Sequence, residues 1–254
     1  MTRSISELAL QLHAARKEGR PVPQPPAGSL DIEAAYRVQA QGMALRRTDG
    51  ELPVGCKMGF TSRAKMAQMG VHEMIVGQLT DAMQVADGGP LERAFAIHPR
   101  VEPEIAFLIA RDLSEVPHAG LLGSAVEAMA PALEVIDSRY ADFRFALADV
   151  IADNTSALAF ALGPWQRVPR CIDNLGIALR FNGRDRQLGS SAAILGSPWR
   201  SLEAAWRLAR RYDLRIAAGN VLLAGAATVA DPLPACGRVE AEVECLGRVA
   251  LTVT

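Results

Sequence analysis

The sequence lacks an excess of charge of either sign and a long apolar run. Its 27 Lys and Arg residues balance 28 Asp and Glu residues, for a net charge of −1. Because no surplus of positive charge is present to neutralise phosphates, nucleic acid is not an expected partner. No apolar stretch approaches the ~20 residues of a membrane-spanning helix, and the amphipathic N-terminus does not resemble a signal peptide. We therefore expect a cytoplasmic protein, away from membranes, that acts on a small ligand.

The sequence also lacks the cysteine and histidine patterns of disulfide frameworks and zinc sites. Its four cysteines, Cys56, Cys171, Cys236 and Cys245, form no CxxC pair, and so few in a chain of this length do not indicate a disulfide scaffold. We interpret them as small buried thiols. The four histidines are scattered, with no HExxH or HxH pattern, which disfavours zinc.

Apolar residues at helical spacing predict two helices near the N-terminus, over residues 4–18 and 31–47. Between them, RPVPQPPAGS cannot continue a helix and is interpreted as an extended surface linker. After the apolar segment VGCKMGF, TSRAKMAQMG is predicted to form a short helix that ends at Gly70. The other predicted elements are strands in VEPEIAFLIA and PALEVIDSR, hairpins at Asn182-Gly183 and Leu246-Gly247, and helices near residues 121–129, 146–154 and 200–212.

Together these elements predict an α+β fold in one domain over residues 1–254. A helical N-terminal region, residues 1–50, precedes a mostly antiparallel or mixed β-sheet in residues 51–254. The sequence shows neither an internal repeat nor a low-complexity tract.

Three glutamates form a candidate metal site. Residues two apart in a strand face the same way, so Glu102 and Glu104, in RVEPEIAF, project together. Neighbouring carboxylates repel one another unless they are solvated or share a cation, and a hard divalent ion such as Mg²⁺ prefers oxygen ligands. Glu134, inside the apolar segment ALEVI, also needs a partner if it is buried. Two alternatives stay open on spacing alone: a solvated face for the pair, and an ion pair of Glu134 with an arginine such as Arg139.

Lys57 is the candidate catalytic residue. It lies in the glycine-flanked apolar segment VGCKMGF and is predicted to lie on a loop. A partly desolvated ammonium there could shuttle a proton or contact a substrate anion. On the residues alone, a surface lysine whose stem packs on apolar neighbours is the commoner alternative.

Four segments, VGCKMGFTSRAKMAQMGV, HPRVEPEIAF, ALEVIDSRYADF and LADVIADNTS, resemble the fumarylacetoacetate hydrolase superfamily. Within it, they are most similar to the hydratase/decarboxylase branch of aromatic meta-cleavage pathways. The resemblance implies the family's mixed β-roll and Mg²⁺ or Mn²⁺ held by Glu102, Glu104 and Glu134, with no organic cofactor. It also implies that Lys57 hydrogen-bonds or protonates an enolate oxygen of the substrate.

The branch contains two main activities, hydration of 2-hydroxypenta-2,4-dienoate and decarboxylation of 2-oxo-3-hexenedioate. The KMGFTSRAKMAQMGV stretch is similar to the decarboxylases. Hydratases of the branch typically carry an acidic residue two positions before the glycine that is Gly77 here, where this chain has Ile75. Because CO₂ loss gains from an apolar pocket, the resemblance favours Mg²⁺-dependent decarboxylation. Hydration, carbon–carbon bond hydrolysis with His98 as base, and a catalytically silent scaffold remain alternatives.

The same resemblance implies further contacts and partners. Ser156, in DNTS, and Thr228, in AGAAT, match segments that approach the substrate in the family, although LLAGAAT departs from the more usual L-T-G-G-I-T. Asp137 and Arg139 are expected to orient Glu134. The expected partners are a small unsaturated 2-oxo diacid, further copies of the chain in a homo-oligomer, and the pathway hydratase. Three methionines could line the apolar pocket or pack in the core: Met66, Met69 and Met74.

Overall fold

The computed structural model describes residues 4–26, 28–62, 66 and 74–254. The short helix predicted to end at Gly70 lies largely outside these residues, and so does Met69. Among the helices that are described, none is both long and apolar enough to cross a membrane.

Two helices open the described chain, as predicted, and pack against each other. They are α1, Ile5–Glu18, and α2, Ile32–Thr48. A capping box stabilises the first turn of α1. The Ser4 hydroxyl accepts a hydrogen bond from the Glu7 amide, and the Glu7 carboxylate accepts one from the Ser4 amide. Apolar side chains at helical spacing on both helices join the main core.

The strands of the described residues belong to two mixed sheets. They are β1 (Pro53–Gly59), β2 (Ile75–Thr80), β3 (Gln84–Val85), β4 (Pro90–Leu91), β5 (Arg100–Ile109), β6 (Val126–Ile136), β7 (Ala157–Leu162), β8 (Gly176–Phe181), β9 (Arg184–Ser190), β10 (Val221–Leu223), β11 (Asp231–Pro232), β12 (Gly237–Val243) and β13 (Gly247–Val253). Two further α-helices are α3, Leu147–Ala152, and α4, Pro198–Tyr212.

The larger sheet has eight strands in the order β2-β1-β10-β5-β6-β7-β3, with β11 beside β5. Its β1–β10 and β3–β7 pairs are parallel, and its other pairs are antiparallel. The smaller sheet has the order β4-β13-β12-β8-β9, in which only the β4–β13 pair is parallel. The expectation of an α+β fold with a mixed sheet is confirmed.

Both predicted hairpins are present in the smaller sheet. The β8–β9 turn contains Asn182 and Gly183, whose φ values of 51° and 76° suit the two-residue turn that Asn-Gly favours. The β12–β13 pair turns across residues 244–246.

The alternation of side chains along β5 and β6 determines which residues face the candidate site. Val101 on β5 and Leu133 and Val135 on β6 point into an apolar layer shared with the smaller sheet. Glu102 and Glu134, at the alternate positions, therefore point to the opposite face. That face also carries a separate apolar cluster rich in small side chains, including Ala106, Ala130 and Ala132. The three glutamates are buried inside the fold, so the alternative of a solvated face is wrong.

Three local predictions are corrected by the structure. Lys57 lies in the middle of β1 and not on a loop, because β1 pairs with both β2 and β10. The helix predicted near residues 121–129 is a 3₁₀ helix, Ala119–Ala125, and the buried apolar run after it forms β6. Cys56 is buried, but the other three cysteines are exposed: Cys171, Cys236 and Cys245.

Candidate metal centre and substrate cavity

Three carboxylates converge where β5 and β6 pair. Glu102 and Glu134 are direct partners across the antiparallel ladder, and Glu104 lies two residues further along the same face of β5. One carboxylate oxygen from each residue lies within 4.8 Å of the other two. Glu104 is 0% exposed and Glu134 is 1% exposed. The structure thus brings together, away from bulk water, the three glutamates singled out in the sequence.

The protein groups described around Glu104 and Glu134 satisfy only part of their carboxylate oxygens. The amide of Gly225 donates a hydrogen bond to Glu104 Oε2 at 2.7 Å. Glu104 Oε1 and Glu134 Oε2, both buried, receive none from the residues described. Burial raises the pKa of Glu104 well above its usual value, and the charges of Glu134 and Glu102 raise it further. Burial also raises the pKa of Glu134, although Lys57 opposes the shift.

Buried carboxylate oxygens without donors fit a hard divalent cation. Mg²⁺ and Mn²⁺ prefer oxygen ligands, and Mg²⁺ usually keeps part of its coordination shell for water or substrate. A +2 ion among the three glutamates would offset the repulsion that raises the pKa of Glu104. Glu102, Glu104 and Glu134 could therefore hold such an ion.

Position 225 favours glycine over every other residue type. Its φ is 105°, a conformation that favours glycine. A Cβ atom there would lie 2.2 Å from the Thr61 hydroxyl oxygen. The segment LLAGAAT therefore keeps the glycine that brings an amide to Glu104, despite its departure from the family pattern.

Lys57 reaches the same centre from β1. Its side chain is 3% exposed, and its Nζ lies 2.9 Å from Glu134 Oε1. The same ammonium donates a hydrogen bond to the Thr155 carbonyl at 3.1 Å. An ammonium has three donors, so one remains for a ligand beyond these two contacts. The alternative of a surface lysine is wrong.

A left-handed turn positions the carbonyl that Lys57 contacts. Asn154, Thr155 and Ser156 have φ values of 49°, 53° and 58°, which are uncommon for residues other than glycine. The Asn154 side chain fixes the turn on β2 by accepting from the Gln78 amide at 2.7 Å and donating to its carbonyl at 2.8 Å. A Cβ at Gly77 would lie 2.7 Å from the Asn154 carbonyl oxygen. The strained turn thus depends on a close approach that Gly77 permits.

A cavity of about 300 Å³ opens beside Lys57 and Glu102, within the size range of small-ligand sites. Ile75 and Ser156, two of the expected substrate contacts, line it. Thr228 is not in this lining among the residues described, and its hydroxyl donates to the Val229 carbonyl. Met66 and Met74 pack in the core, the second role considered for them. The apolar walls include Phe60, Ile75, Ile136, Phe143, Phe145 and Val150.

Asp137 and His98 belong to one loop contact. The Asp137 carboxylate accepts hydrogen bonds from the amides of Ile97 and His98, each at 2.8 Å. The His98 ring packs against Phe143, with centroids 5.1 Å apart. Among the described residues, His98 does not line the cavity itself.

Arg139 has a partner other than Glu134. It forms a buried ion pair with Asp153 and donates to the carbonyls of Asp137 and Ala157. The ion-pair partner of Glu134 is Lys57, so the alternative that Glu134 pairs with Arg139 is wrong. Arg139 and Asp153 instead anchor the chain immediately before the left-handed turn.

Replacing Arg139 with Met should destabilise the protein by about 3–5 kcal/mol, because the Asp153 carboxylate then stays buried without its counter-ion. Burial already raises the pKa of Asp153 to about 6 against the opposing charge of Arg139. The measurement is urea unfolding of the two proteins. Arg238→Met, which removes an exposed arginine 3.5 Å from Glu240, is the control and should cost no more than about 1 kcal/mol. Equal losses for the two variants would contradict the assignment.

Several contributors to the site were not predicted from the sequence. The Thr155 carbonyl and the Gly225 amide act through the backbone, so their side chains give no signal. Asn154 gives a weak sequence signal, because asparagine tolerates the left-handed region. Arg100, which lines the cavity, could have been found, since strand alternation places it on the same face as Glu102.

Fold and side chains together define an α+β enzyme scaffold with a buried carboxylate centre beside a small-ligand cavity. The chain belongs to the fumarylacetoacetate hydrolase family, because the model of the fumarylacetoacetate (FAA) hydrolase C-terminal family matches residues 60–254. The resemblance inferred from the sequence is confirmed.

Relatives that align with nearly the whole chain include both decarboxylases and hydratases. A 4-oxalocrotonate decarboxylase from Pseudomonas sp is 46% identical over 253 residues, covering 98% of each chain. A 2-keto-4-pentenoate hydratase from Burkholderia vietnamiensis is 36% identical and covers 99% of this chain and 98% of its own. The solved 4-oxalocrotonate decarboxylase from Pseudomonas putida G7, complexed with magnesium and adipate, matches with a TM-score of 0.93 at 32% identity. That match covers 98% of this chain and 97% of the other.

Proposed function

We propose that the protein is a Mg²⁺-dependent decarboxylase that converts 2-oxo-3-hexenedioate (4-oxalocrotonate) to 2-hydroxypenta-2,4-dienoate and CO₂ in aromatic meta-cleavage catabolism. The observation that carries the proposal is a buried three-glutamate centre paired with Lys57 beside an apolar cavity. Two comparisons support it: the 46% identical relative bears the name of this reaction, and the solved relative holds magnesium and a six-carbon diacid.

The reaction needs a place for negative charge at the C2 oxygen of the substrate. When the C5–C6 bond breaks, its electron pair forms a C4–C5 double bond, the C3–C4 double bond shifts to C2–C3, and the C2 oxygen becomes an enolate oxygen. Glu102, Glu104 and Glu134 would hold a divalent cation, which would supply Lewis-acid stabilisation of this charge. One proton then converts the enolate to the dienol product.

Lys57 is suited to handle that proton. Glu134 and the Thr155 carbonyl fix two directions of its ammonium, and the remaining N–H can hydrogen-bond the enolate oxygen or deliver its proton. Because the lysine sits on a paired strand and is held by two acceptors, little reorganisation is needed as the charge develops.

Ile75 supports decarboxylation over hydration. Its buried side chain forms part of the cavity wall, so this position offers no acid or base to the substrate carbon chain. Water addition needs such a group, whereas loss of CO₂ needs none at that carbon. Ser156 lies in the same lining, and we propose that it contacts the substrate.

Incubation of the purified protein with Mg²⁺ and 2-oxo-3-hexenedioate should release CO₂ and form the dienol. CO₂ capture and the ultraviolet absorbance of the diene measure the two products, and removal of metal with EDTA should stop both. The second arm offers 2-hydroxypenta-2,4-dienoate as substrate. Hydration of the dienoate without CO₂ release from the diacid would overturn the assignment.

Hydration is the second candidate because the relative that is 36% identical over nearly its full length is named a hydratase. The two candidates share the carboxylate centre, so metal binding does not separate them. A third outcome, Mg²⁺ binding without turnover of either substrate, would indicate a silent scaffold.

The proposal extends to cofactors and assembly. Mn²⁺ can replace Mg²⁺ at an oxygen-only centre, and no organic cofactor takes part in the electron movement described above. We further propose a cytoplasmic homo-oligomer that passes its unstable dienol to the pathway hydratase in a complex.

A further inference from the structure

A second cation lies along the cavity from the carboxylate centre. Arg100 is the first residue of β5 and lines the cavity together with Glu102. Alternation puts Arg100, Glu102 and Glu104 on one face of the strand. Successive residues on that face are about 7 Å apart, the length scale of an extended six-carbon diacid. A ligand that binds at the glutamates can therefore reach Arg100 with its far end.

The guanidinium of Arg100 forms no close ion pair with a carboxylate among the residues described, and its charge makes only a minor contribution to the lowered pKa of Asp231. Its recorded contact is with the face of Phe143, 4.8 Å from the ring centroid. The acidic residue on the adjoining strand β11, Asp231, is already paired with Arg186 at 2.9 Å and with Gln187 at 3.0 Å. Arg100 therefore differs from Lys57, whose charge is matched by Glu134 inside the protein.

An arginine that lines a cavity with an apolar wall and forms no close ion pair among the described residues is suited to bind an anion. Its planar guanidinium binds carboxylates through two parallel hydrogen bonds. Stacking on Phe143 fixes the plane of the group, so less conformational freedom is lost when the anion binds. A monoacid held at the glutamates by its only carboxylate would leave this arginine without a partner.

We propose that Arg100 binds the distal carboxylate of the substrate and so makes the site specific for diacids over monoacids. The inference rests on the proposed function for the identity of the substrate, and on the geometry of β5 for the position of the contact. It makes Arg100 a specificity-determining residue.

The contact acts on binding more than on chemistry. Arg100 holds the ionised carboxylate in the ground state, and the contact weakens as that group becomes neutral CO₂. Interactions that are not strengthened in the transition state lower KM without raising kcat. We therefore expect Arg100→Met to raise KM by about tenfold or more and to leave kcat within about threefold.

The direct test measures binding of two unreactive ligands to the Mg²⁺-loaded protein by calorimetry. The ligands are 2-oxoadipate and 2-oxohexanoate, which share the 2-oxo acid end and differ in the distal carboxylate. The wild-type protein should bind the diacid about tenfold or more tightly than the monoacid. Arg100→Met should remove this preference and leave monoacid affinity within about twofold. Arg144→Met, at an exposed arginine outside the cavity lining, is the control and should keep the preference.

The outcomes separate this inference from the proposed reaction. Diacid preference that survives Arg100→Met, or an equal loss of affinity for both ligands, would overturn the role of Arg100. If Arg100→Met loses the diacid preference while the wild-type protein releases no CO₂, the role of Arg100 is supported and decarboxylation is overturned. Arg100→Lys should restore part of the diacid affinity, because it keeps the charge but not the planar pair of donors.

Discussion

Glu104→Gln should abolish turnover and, at the same time, stabilise the metal-free protein. Glutamine keeps the shape and can still accept the hydrogen bond from Gly225, which lies at 2.7 Å in the structure. It removes one of three carboxylates that repel each other within 4.8 Å. Because burial raises the pKa of Glu104 in the folded protein, folding at neutral pH costs about 1–3 kcal/mol for taking up a proton or burying the charge, and glutamine does not have this cost. The expected gain for the metal-free protein lies in that range.

The effect on the loaded protein should have the opposite sign. With one ligand charge removed, Mg²⁺ should bind far more weakly and stabilise the variant little. Lewis-acid stabilisation is worth several kcal/mol, so kcat/KM should fall by about 10³-fold or more.

Thermal unfolding with EDTA and with Mg²⁺, together with calorimetric Mg²⁺ titration, measures both effects of Glu104→Gln. Glu203→Gln is the matched control, because Glu203 is exposed and pairs with Arg207 one helical turn away. It should change stability by no more than about 0.5 kcal/mol and leave Mg²⁺ affinity intact. A Glu104→Gln variant that binds Mg²⁺ normally and keeps full activity would remove the glutamate centre from the mechanism.

The part of the site that could be predicted from the sequence is the part set by strand alternation. Glu102 and Glu104 were placed together because residues two apart in a strand share a face, and the structure agrees. Glu134 was singled out because a charge inside an apolar segment needs a partner. The register, which makes Glu102 and Glu134 direct cross-strand neighbours, could not be predicted from the sequence.

Contacts made by the backbone of distant segments could not be predicted. The sequence predicts Lys57 on a loop, yet β2 and β10 pair with β1 on both sides. The Thr155 carbonyl reaches Lys57 across 98 residues of sequence. That contact depends on a left-handed turn, which local propensity alone does not favour for threonine.

Orientation of the carboxylates was assigned to the wrong neighbours for a related reason. Asp137 and Arg139 follow Glu134 closely in sequence, which made them natural candidates to orient it. Beyond the end of β6 at Ile136, however, the chain leaves the sheet, and Arg139 turns to Asp153. Although Arg139 is close to Glu134 in sequence, it therefore contacts Asp153 beside the left-handed turn and not the glutamates.

Lys57→Met should have effects opposite to those of Glu104→Gln on every property except activity. Its removal takes away the cation 2.9 Å from Glu134 and leaves that buried carboxylate without its counter-ion. Breaking a buried pair in this way costs about 3–5 kcal/mol, so the metal-free protein should be strongly destabilised. Mg²⁺ should bind more tightly, by about tenfold, because a positive charge no longer repels it.

Turnover of Lys57→Met should nevertheless fall by about 10²–10⁴-fold, the usual contribution of a positioned acid or base. The measurements are Mg²⁺ titration, unfolding with EDTA and with Mg²⁺, and kcat at saturating Mg²⁺. Lys17→Met, which removes an exposed lysine paired with Asp49 at 3.2 Å, is the control and should leave activity and Mg²⁺ affinity unchanged. If Lys57→Met lost Mg²⁺ affinity along with activity, the lysine would be supporting the metal site and not the proton. Tight Mg²⁺ binding without turnover separates the two roles, because it leaves the glutamate centre intact and removes only the ammonium that faces the enolate oxygen.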